Sequence, residues 1–249
     1  MAGVNAALYV RGEEPLMLRR DQSYVGVMVD DLITKEHSEP YRLFTSRAEF
    51  RLLLRGDNAD LRLGPIGYRL GLQSEEFIRR VKAKRSAVRA ELERLAVAVV
   101  ASSPEAQTAL ARRGLTLSTQ GVSALQLLRR SGVDYSLIEE LCPPSRPLSG
   151  EARETVEIEA KYAGYIERQR AEVERLSRLE RRPLPRGLRY EEIVGLRAEA
   201  AERLAQAQPL TVGQAARLAG VNPVDVAVLL AHLERKPGLE SAEHEVAGW

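Results

Sequence analysis

The longest helical pattern in the chain runs from about residue 151 to 181. Four glutamates lie among its first nine residues, and five of its six arginines lie in its second half. This order suits a helix, whose dipole is positive at the N-terminal end and negative at the C-terminal end. A chain of 249 residues with such a segment is predicted to be built around helices.

Residues that start and stop helices recur at short intervals in the rest of the chain. Ser74, Ser103 and Asp134 each precede a helical pattern, where their side-chain oxygens can accept a backbone N–H. Ser46 and Glu49 form a capping-box pattern that predicts a helix over residues 47–55. Further helices are predicted at 1–10, from Pro65 to about 70, from 75, and over 104–113, 122–130, 135–141, 190–196, 197–206, 212–219 and 223–235.

One stretch near the N-terminus favours extended structure instead. Residues 24–32, YVGVMVDDL, are apolar and β-branched, and Pro40 blocks a helix further on. Charged residues make up 29% of the chain and aromatics 5%, which suits helices better than a β-sandwich. The predicted fold class is mainly α, a helical bundle-like C-terminal region with a short extended or strand segment near the N-terminus.

A proline cluster predicts where the chain divides. Pro143, Pro144 and Pro147 interrupt the helical patterns more strongly than any other segment. We therefore expect a connector over 1–71, a first helical subdomain over 72–147, a second over 148–236, and a disordered tail over 237–249.

Several classes of chemistry have no signature in the sequence. No G-x-G-x-x-G and no G-x-x-x-x-G-K-[ST] motif is present. The three histidines and the single cysteine, Cys142, have no metal-site spacing, and Asp30 and Asp31 are too close in sequence to act as an acid/base pair. No catalytic, cofactor-binding or metal-binding residue is predicted in this chain.

The sequence also bears on location. No apolar run approaches the roughly 20 residues that span a bilayer, and the first residues lack the pattern of a signal peptide. A single cysteine fits a reducing cytoplasm. We expect a cytoplasmic protein without a membrane association.

Positive charge is concentrated in one part of the chain. The net charge is +2, yet residues 42–89 contain 12 Lys/Arg and 5 Asp/Glu, a balance of +7. On the predicted helix Arg47, Arg51 and Arg55 form one stripe, and Arg62 follows it. A second run contains six basic residues and no acid: Arg79, Arg80, Lys82, Lys84, Arg85 and Arg89.

Two interpretations of this segment remain open. Arginine suits phosphate recognition because its planar fork can donate two hydrogen bonds to one phosphate group. The alternative is internal pairing of Arg47 and Arg62 with Glu49, Asp57 and Asp60. Aromatic residues are scarce here, so any RNA contact is expected to be with the backbone rather than with stacked bases.

Residues 211–233 have the pattern of a helix-turn-helix. Ala216, Gly220 and Val226 have the spacing of its packing positions, and Thr211 with Gln214 offers a capping box. A DNA-reading helix needs polar side chains at its start, whereas residues 223–227 are apolar and acidic. A packing or partner-binding hairpin is favoured, and a DNA-binding or purely protein-interaction module remains the alternative function.

Three blocks of sequence resemble a known family. Residues 38–63, SEPYRLFTSRAEFRLLLRGDNADLRL, closely resemble the tRNA uridine 5-carboxymethylaminomethyl modification enzymes, also called glucose-inhibited division protein A. The similarity continues in VEIEAKYAGYIERQ, residues 156–169, and in QPLTVGQAARLAGVNPVDVAVLL, residues 208–230. The order and spacing of the blocks identify the chain with the C-terminal portion of that family.

The resemblance implies a function. The family is a flavoprotein that binds FAD on an N-terminal domain, uses NADH and a folate one-carbon donor, and modifies the wobble uridine of tRNA with a GTPase partner. It implies that residues 1–71 comprise the trailing edge of the flavin domain and a basic connector, and that this chain holds tRNA and the partner. It also implies that the full-length family forms homodimers, and that the chain alone is inactive because the dinucleotide loop and catalytic cysteines lie upstream.

The resemblance also implies roles for individual residues of this chain. Arg47, Arg51, Arg55 and Arg62 lie in the first block and are expected to contact tRNA or to orient the loop that does. The second block supplies the expected partner-binding residues Lys161, Tyr162, Tyr165, Arg168 and Gln169. For this block, ordinary helix packing is the alternative, with Gly164 allowing another helix to approach.

Overall fold

The computed structural model describes residues 1–34, 39–116 and 121–235. In this part of the chain helices predominate, and the predicted mainly α class is confirmed. The helices are α1 (Ala2–Val10), α2 (Tyr24–Thr34), α3 (Ala59–Arg69), α4 (Glu75–Val97), α5 (Pro104–Ala111), α6 (Ala124–Leu128), α7 (Tyr135–Leu141), α8 (Gly150–Arg181), α9 (Ala198–Ala207), α10 (Val212–Arg217) and α11 (Pro223–Arg235).

The expected strand near the N-terminus is wrong, because residues 24–34 form helix α2. The hydroxyl of Ser23 accepts the Gly26 N–H at 2.9 Å and starts the helix. The buried positions are Ser23, Gly26, Val27 and Asp31, whose three- and four-residue spacings are those of a helix. The valines that suggested a strand divide between the buried and the exposed side of the helix.

The strands lie elsewhere. β1 (Val99–Val100) pairs antiparallel with β2 (Val122–Ser123), with Val100 opposite Val122. Ser123 then caps α6 by accepting the Gln126 N–H at 3.2 Å, so this helix is shorter than the predicted 122–130. The serine and aspartate caps predicted at 74, 103 and 134 are confirmed, at 3.0–3.2 Å from the N–H groups that they accept.

The predicted helix over 47–55 is also wrong. A short 3-10 turn, Thr45–Arg47, is followed by turns up to the start of α3. Arg20 binds the Glu49 carboxylate through two hydrogen bonds, at 2.7 and 2.8 Å, and donates to the Arg47 carbonyl oxygen at 2.8 Å. The Gln169 side chain satisfies the Glu49 carbonyl oxygen and the Leu52 N–H, at 2.8 and 3.1 Å. Side chains distant in sequence therefore replace the hydrogen bonds that a helix would have made.

The chain divides into two compact units, each with its own core. The first comprises residues 1–27 and 44–169, and the second comprises 28–43 and the residues from 170 onward. The buried side chains of the first core include Tyr135, Leu95, Leu110, Leu127, Leu128, Leu137, Ile138, Val133 and Val156. The second core is formed around Tyr190, Leu204, Val212, Ala215 and Leu229.

This division differs from the boundary expected at the proline cluster. Leu148, Ala152, Val156 and Ala160 follow the prolines and still pack into the first core. The prolines therefore end a helix without ending a unit. The tail predicted to be disordered, 237–249, lies outside the described residues.

Candidate nucleic-acid interface

Helix α4 is the rigid element that carries most of the predicted basic residues. Ser74 caps it, and Glu75 and Glu76 lie in its first turn, where negative charge is favourable. Ile78, Val81, Val88 and Leu95 are buried on one side at helical spacing. That buried stripe fixes which of the basic side chains face outward.

Arg79, Lys82 and Arg89 lie on the outer side of α4. With about 100° between successive residues of an α-helix, positions 79, 82 and 89 fall within about 80° of one another, on a stripe beside the apolar residues. All three side chains are exposed. In the described part of the chain, Arg79 and Lys82 have neither a hydrogen bond nor an ion pair. Arg89 pairs with Glu93 at 2.8 Å, but both side chains are largely exposed, so the pair is weak.

Arg80 lies beside this stripe. Its guanidinium stands 5.6 Å from the centre of the Phe77 ring, a cation–π distance. The contact orients Arg80 and leaves its N–H groups exposed on the surface. Together these four residues form the outer basic face of α4: Arg79, Arg80, Lys82 and Arg89.

Lys84 and Arg85 belong to the same sequence run but contact the chain itself. The Lys84 ammonium donates to the Asp57 carbonyl oxygen at 2.8 Å and to both Asp60 carboxylate oxygens at 3.1 and 3.2 Å, and its side chain is only 8% exposed. Arg85 donates to the Leu61 carbonyl oxygen at 2.5 Å. Both residues hold the start of α3 against α4.

Arg55 is the centre of a half-buried ion-pair network. It donates to both oxygens of Asp57, at 2.9 and 3.1 Å, to Glu159 at 2.8 Å and to the Leu52 carbonyl oxygen at 2.7 Å. Burial by itself lowers the pKa of Arg55, but the hydrogen bonds that it donates to Asp57 and Glu159 outweigh burial and raise the pKa. Arg55 orients the turn after residue 55, although the internal-pairing alternative had named Arg47 and Arg62 for this role.

Arg62 is also turned inward. Its guanidinium donates to the Asn58 side-chain oxygen at 2.8 Å, to the Arg55 carbonyl oxygen at 3.0 Å and to the Gln22 carbonyl oxygen. Burial, assisted by the nearby positive charge of Arg55, lowers the pKa of Arg62. The predicted pairing of Arg62 with Asp57 or Asp60 is replaced by backbone oxygens and an amide.

The stripe predicted from Arg47, Arg51 and Arg55 does not form, because this segment is not helical. Arg51 is exposed and Arg47 is half-buried. The structure therefore separates the predicted residues into two groups. Arg51 and the outer basic face of α4 are exposed, whereas Arg55, Arg62, Lys84 and the exposed Arg85 are bonded within the chain and shape the turn.

The predicted partner-binding residues lie near the middle of α8. Tyr162 and Tyr165 are 46% and 59% exposed, and the Arg168 guanidinium is 5.5 Å from the centre of the Tyr165 ring. A Cβ added at Gly164 would meet no atom within 4 Å, so no described helix packs there. Lys161 pairs with Glu157 at 2.6 Å, and Gln169 holds the loop at Glu49 and Leu52.

Helices α10 and α11 form the hairpin predicted at 211–233. The Thr211 hydroxyl accepts the Gln214 N–H at 3.1 Å, as the capping-box pattern predicted. Asp225, in the first turn of α11, is buried and binds Arg197 through hydrogen bonds of 2.7–3.3 Å. Arg197 lowers the pKa of Asp225. A buried carboxylate beside an exposed Val224 leaves the start of α11 unsuited to contacting base edges.

A buried polar network beside Cys142 was not predicted from the sequence. Glu91, on the inner side of α4, accepts hydrogen bonds from the Tyr135 hydroxyl and from Arg94, at 2.7–2.8 Å. Arg94 also donates to the thiol and to the carbonyl oxygen of Cys142, both at 3.1 Å. A glutamate within an apolar stripe was the one available signal of this network.

Neither metal ligation nor a membrane span is supported by the described residues. No group of three or more His, Cys, Asp and Glu side chains in this part of the chain could hold a metal ion. None of its helices is both long and apolar enough to cross a bilayer.

Two family models of known proteins match most of the chain, one in each of the two compact units. A family model described as the tRNA modifying enzyme MnmG/GidA C-terminal helical domain matches residues 75–170. A second, described as the MnmG/GidA C-terminal helical bundle, matches residues 172–247. The two models meet within a few residues of the boundary between the two compact units.

Individual relatives agree with these matches. The tRNA uridine 5-carboxymethylaminomethyl modification enzyme MnmG of Exiguobacterium sibiricum is 47% identical over 235 residues, which is 94% of this chain and 37% of that protein. The enzyme of the same name from Geobacillus thermodenitrificans is 46% identical with the same coverage. A crystal structure of GidA from Aquifex aeolicus superposes with a TM-score of 0.72 at 40% identity, over 93% of this chain and 36% of that one. The chain thus spans little more than a third of the length of these relatives.

Proposed function

Because the chain belongs to the MnmG/GidA family and corresponds to its C-terminal helical part, we propose that it holds tRNA on the outer basic face of α4. The observation that carries this proposal is the separation of charge on α4. Arg79, Arg80, Lys82 and Arg89 face outward, whereas Lys84 and Arg85 are engaged within the chain. Among the described residues Arg79 and Lys82 have no acidic partner, and the Arg89–Glu93 pair is largely exposed, so this outward row of cations can attract a phosphate backbone and release its counterions.

The proposal is tested by tRNA titrations of the triple variant Arg79→Ala/Arg80→Ala/Lys82→Ala at several salt concentrations. Each lost phosphate contact is expected to make the dependence of log K on log salt shallower by about 1. The control is Arg175→Ala/Arg178→Ala/Arg189→Ala, which removes the same charge from arginines already paired with Glu172, Glu174 and Glu192. Equal salt dependence in both variants would contradict the proposal.

The middle of α8 is the second part of the proposed function. Exposed tyrosines and an arginine stacked on one of them are residues that protein interfaces favour. Tyr162, Tyr165 and Arg168 would bind the tRNA-modifying GTPase that the family resemblance implies. Binding of that GTPase should weaken in Tyr165→Ser/Arg168→Ala, and it should not change in Tyr68→Ser, which alters an exposed tyrosine on α3.

The chemical step of the proposed enzyme is expected to depend on parts outside this chain. The FAD-dependent modification of the wobble uridine needs a dinucleotide-binding loop between a parallel strand and a helix. Among the described residues the sheet consists of two-residue antiparallel strands, which do not fit such a site. If the purified chain bound FAD or modified tRNA unaided, the proposal that the chemical step depends on other parts of the enzyme would be refuted.

A further inference from the structure

Two loops of the second unit enclose a cavity. One loop follows α8 and the other joins α9 to α10. An isolated β-bridge between Pro183 and Thr211 holds the loops together, and the Leu184 N–H donates to the Leu210 carbonyl oxygen at 2.9 Å. The cavity between them has a volume of about 290 Å³ and is lined by Leu184, Pro185, Arg186, Gln208, Pro209 and Leu210.

Two of the lining side chains are polar and have bonding capacity to spare. Arg186 is exposed and has neither a hydrogen bond nor an ion pair within the described part of the chain. The Gln208 amide donates one N–H to the Ala205 carbonyl oxygen at 2.8 Å. An amide has a second N–H and an oxygen, and among the described residues neither of these has a partner. The cavity therefore offers a ligand a cation, a neutral donor and a neutral acceptor.

Gln208 holds a backbone conformation that glutamine rarely adopts. Its φ is +44° and its ψ is +57°, and in the described part of the chain no other residue except glycine has a positive φ. Gln208 ends α9, where glycine is the usual residue because it has no Cβ. Backbone strain of this kind is concentrated at functional sites. We therefore infer that the Gln208 side chain has a role that glycine could not supply.

The surroundings of the cavity are strongly basic. Residues 175–189 contain six arginines and one acid, Glu180, which binds Arg217. Three of the six arginines pair with other glutamates. The helix dipole accounts for Arg181 at the end of α8, but not for Arg186, which lies five residues beyond it. The ligand is therefore expected to be an anion, and a guanidinium group suits phosphate.

The size and the lining of the cavity favour a nucleotide over an acidic peptide. A volume of about 290 Å³ is near the lower end of the range for ligand pockets, roughly 300–1,000 Å³, and suits a single small ligand. Apolar side chains can enclose a flat base, and an amide can donate to and accept from one base edge. An acidic peptide would use Arg186 but would leave the apolar walls without a matching group.

We propose that this cavity binds one nucleotide. Arg186 binds the phosphate group, Gln208 contacts the edge of the base, and the leucine and proline side chains enclose its faces. The ligand is either a free mononucleotide or an unpaired nucleotide of an RNA. The cavity belongs to the second unit and the outer basic face of α4 to the first, so this inference does not rest on the proposed binding of tRNA by α4.

The test titrates the 249-residue chain with uridine 5′-monophosphate and with adenosine 5′-monophosphate. Binding is followed by NMR at the backbone amides of Gly187 and Leu210, one from each loop. Ribose 5-phosphate, which lacks the base, and uridine, which lacks the phosphate, are the matched ligands. Circular dichroism checks that each variant keeps its helices.

Four variants separate a ligand role from a structural one. Gln208→Gly removes the amide and Gln208→Asn keeps one, and both relieve the strained backbone, so both should raise Tm by about 2 °C. Arg186→Ala removes the proposed phosphate contact. Its control is Arg189→Ala, which removes a nearby exposed arginine already paired with Glu192.

We expect at least one mononucleotide to bind about tenfold more tightly than ribose 5-phosphate or uridine. Arg186→Ala should raise the Kd by about tenfold, because it removes charged hydrogen bonds. Gln208→Gly should raise the Kd by about fivefold although its Tm is higher. Gln208→Asn should bind more tightly than Gln208→Gly, and Arg189→Ala should bind like the wild type.

A single-stranded RNA tetranucleotide distinguishes the two sources of the ligand. Binding at the same amides about tenfold more tightly than the mononucleotide assigns the site to RNA, and equal affinity assigns it to a free nucleotide. No response of these amides to either mononucleotide would overturn the proposal. Equal affinity for ribose 5-phosphate, or tighter binding of a hexaglutamate peptide, would overturn it as well.

The outer basic face of α4 provides the final control. The variant Arg79→Ala/Arg80→Ala/Lys82→Ala should bind mononucleotides like the wild type, so failure of the tRNA proposal remains distinguishable from failure of this one. Loss of mononucleotide binding in that variant would place the ligand on α4 and overturn the assignment to the cavity.

Discussion

Arg85 donates a hydrogen bond to the carbonyl oxygen of Leu61 at 2.5 Å. In a regular helix this carbonyl would accept the N–H of residue 65, but position 65 is a proline inside α3 and has no N–H. The sequence suggested that Pro65 begins a helix, whereas the structure places it one and a half turns beyond the start. An arginine from α4 supplies the donor that proline removes.

We predict that this compensation is measurable as a coupling between positions 65 and 85. Arg85→Ala should lower the free energy of unfolding by about 1 kcal/mol, because the Leu61 carbonyl loses its partner. In a Pro65→Ala background the restored N–H of residue 65 can donate to the Leu61 carbonyl oxygen. Arg85→Ala should then lower the free energy of unfolding by less than it does in the wild type. Urea unfolding of the four proteins in the double-mutant cycle gives the coupling. Equal costs in both backgrounds would show that Arg85 does not compensate for Pro65.

A second prediction concerns Gln169, whose amide joins α8 to the loop at Glu49 and Leu52. Gln169→Leu should leave the Leu52 N–H and the Glu49 carbonyl oxygen without this partner and destabilise the chain by about 1–2 kcal/mol. Hydrogen exchange at the Leu52 amide should accelerate more than exchange within α4. Unchanged protection of Leu52 in this variant would mean that the loop is held by other contacts.

The third prediction compares two glycines within helices. A Cβ at Gly26 would lie 2.3 Å from the Arg19 carbonyl oxygen, so Gly26→Ala must displace backbone and should destabilise the chain by about 2 kcal/mol or more. Gly164 has open space around it, and Gly164→Ala should stabilise α8 by about 0.5–1 kcal/mol. Thermal unfolding of both variants checks the opposite signs, and two shifts in the same direction would contradict the packing at Gly26.

The fourth prediction is a pH dependence at Asp134. Burial opposes the ionisation of this carboxylate, but hydrogen bonds from Arg113, Ser136 and the Leu137 N–H outweigh burial and lower its pKa to about 2. Because the folded pKa is below the usual value of 3.8, the ionised group stabilises the fold above about pH 4, and this contribution is lost as the pH falls towards 2.

Asp134→Asn isolates this contribution, since asparagine keeps the helix cap and loses the ion pair with Arg113. The side chain is 45% exposed, so solvent screening limits the expected loss at pH 7 to about 1 kcal/mol. The difference between wild type and variant should shrink from pH 5 to pH 2 in urea titrations. A difference independent of pH would assign the effect to the cap instead of the charge.

The sequence correctly predicted those helix caps and helix bounds that depend on residues close together in the chain. The caps at Ser74, Ser103, Asp134 and Thr211 and the bounds of α7 and α11 follow from residues within a few positions of each other. The helix predicted over 47–55 failed because its backbone is bonded by Arg20 and Gln169, which lie far away in sequence. The β1–β2 pair joins two-residue strands that are separated by a helix and carry no pattern long enough to detect.

The sequence identified the basic residues of the candidate site, but not the directions in which their side chains point. The sequence identified a run of six cations from Arg79 to Arg89, and only the packing of α4 separates them into outward and inward groups. One signal was available, because Arg85 interrupts the apolar spacing of Ile78, Val81 and Val88 and so lies towards the core side. The partners of Lys84, on the turn at Asp57 and Asp60, could not be identified from spacing.

The contrast between Lys82 and Lys84 provides an internal standard for chemical footprinting. The two amines are two residues apart, yet Lys82 is exposed while Lys84 is enclosed by Asp57 and Asp60. An amine-directed acylating reagent should therefore label Lys82 rapidly and Lys84 slowly, and one proteolytic peptide could report both rates. Protection of Lys82 by an added polyanion, measured against its neighbour, would read occupancy of the outer face without any substitution in the chain.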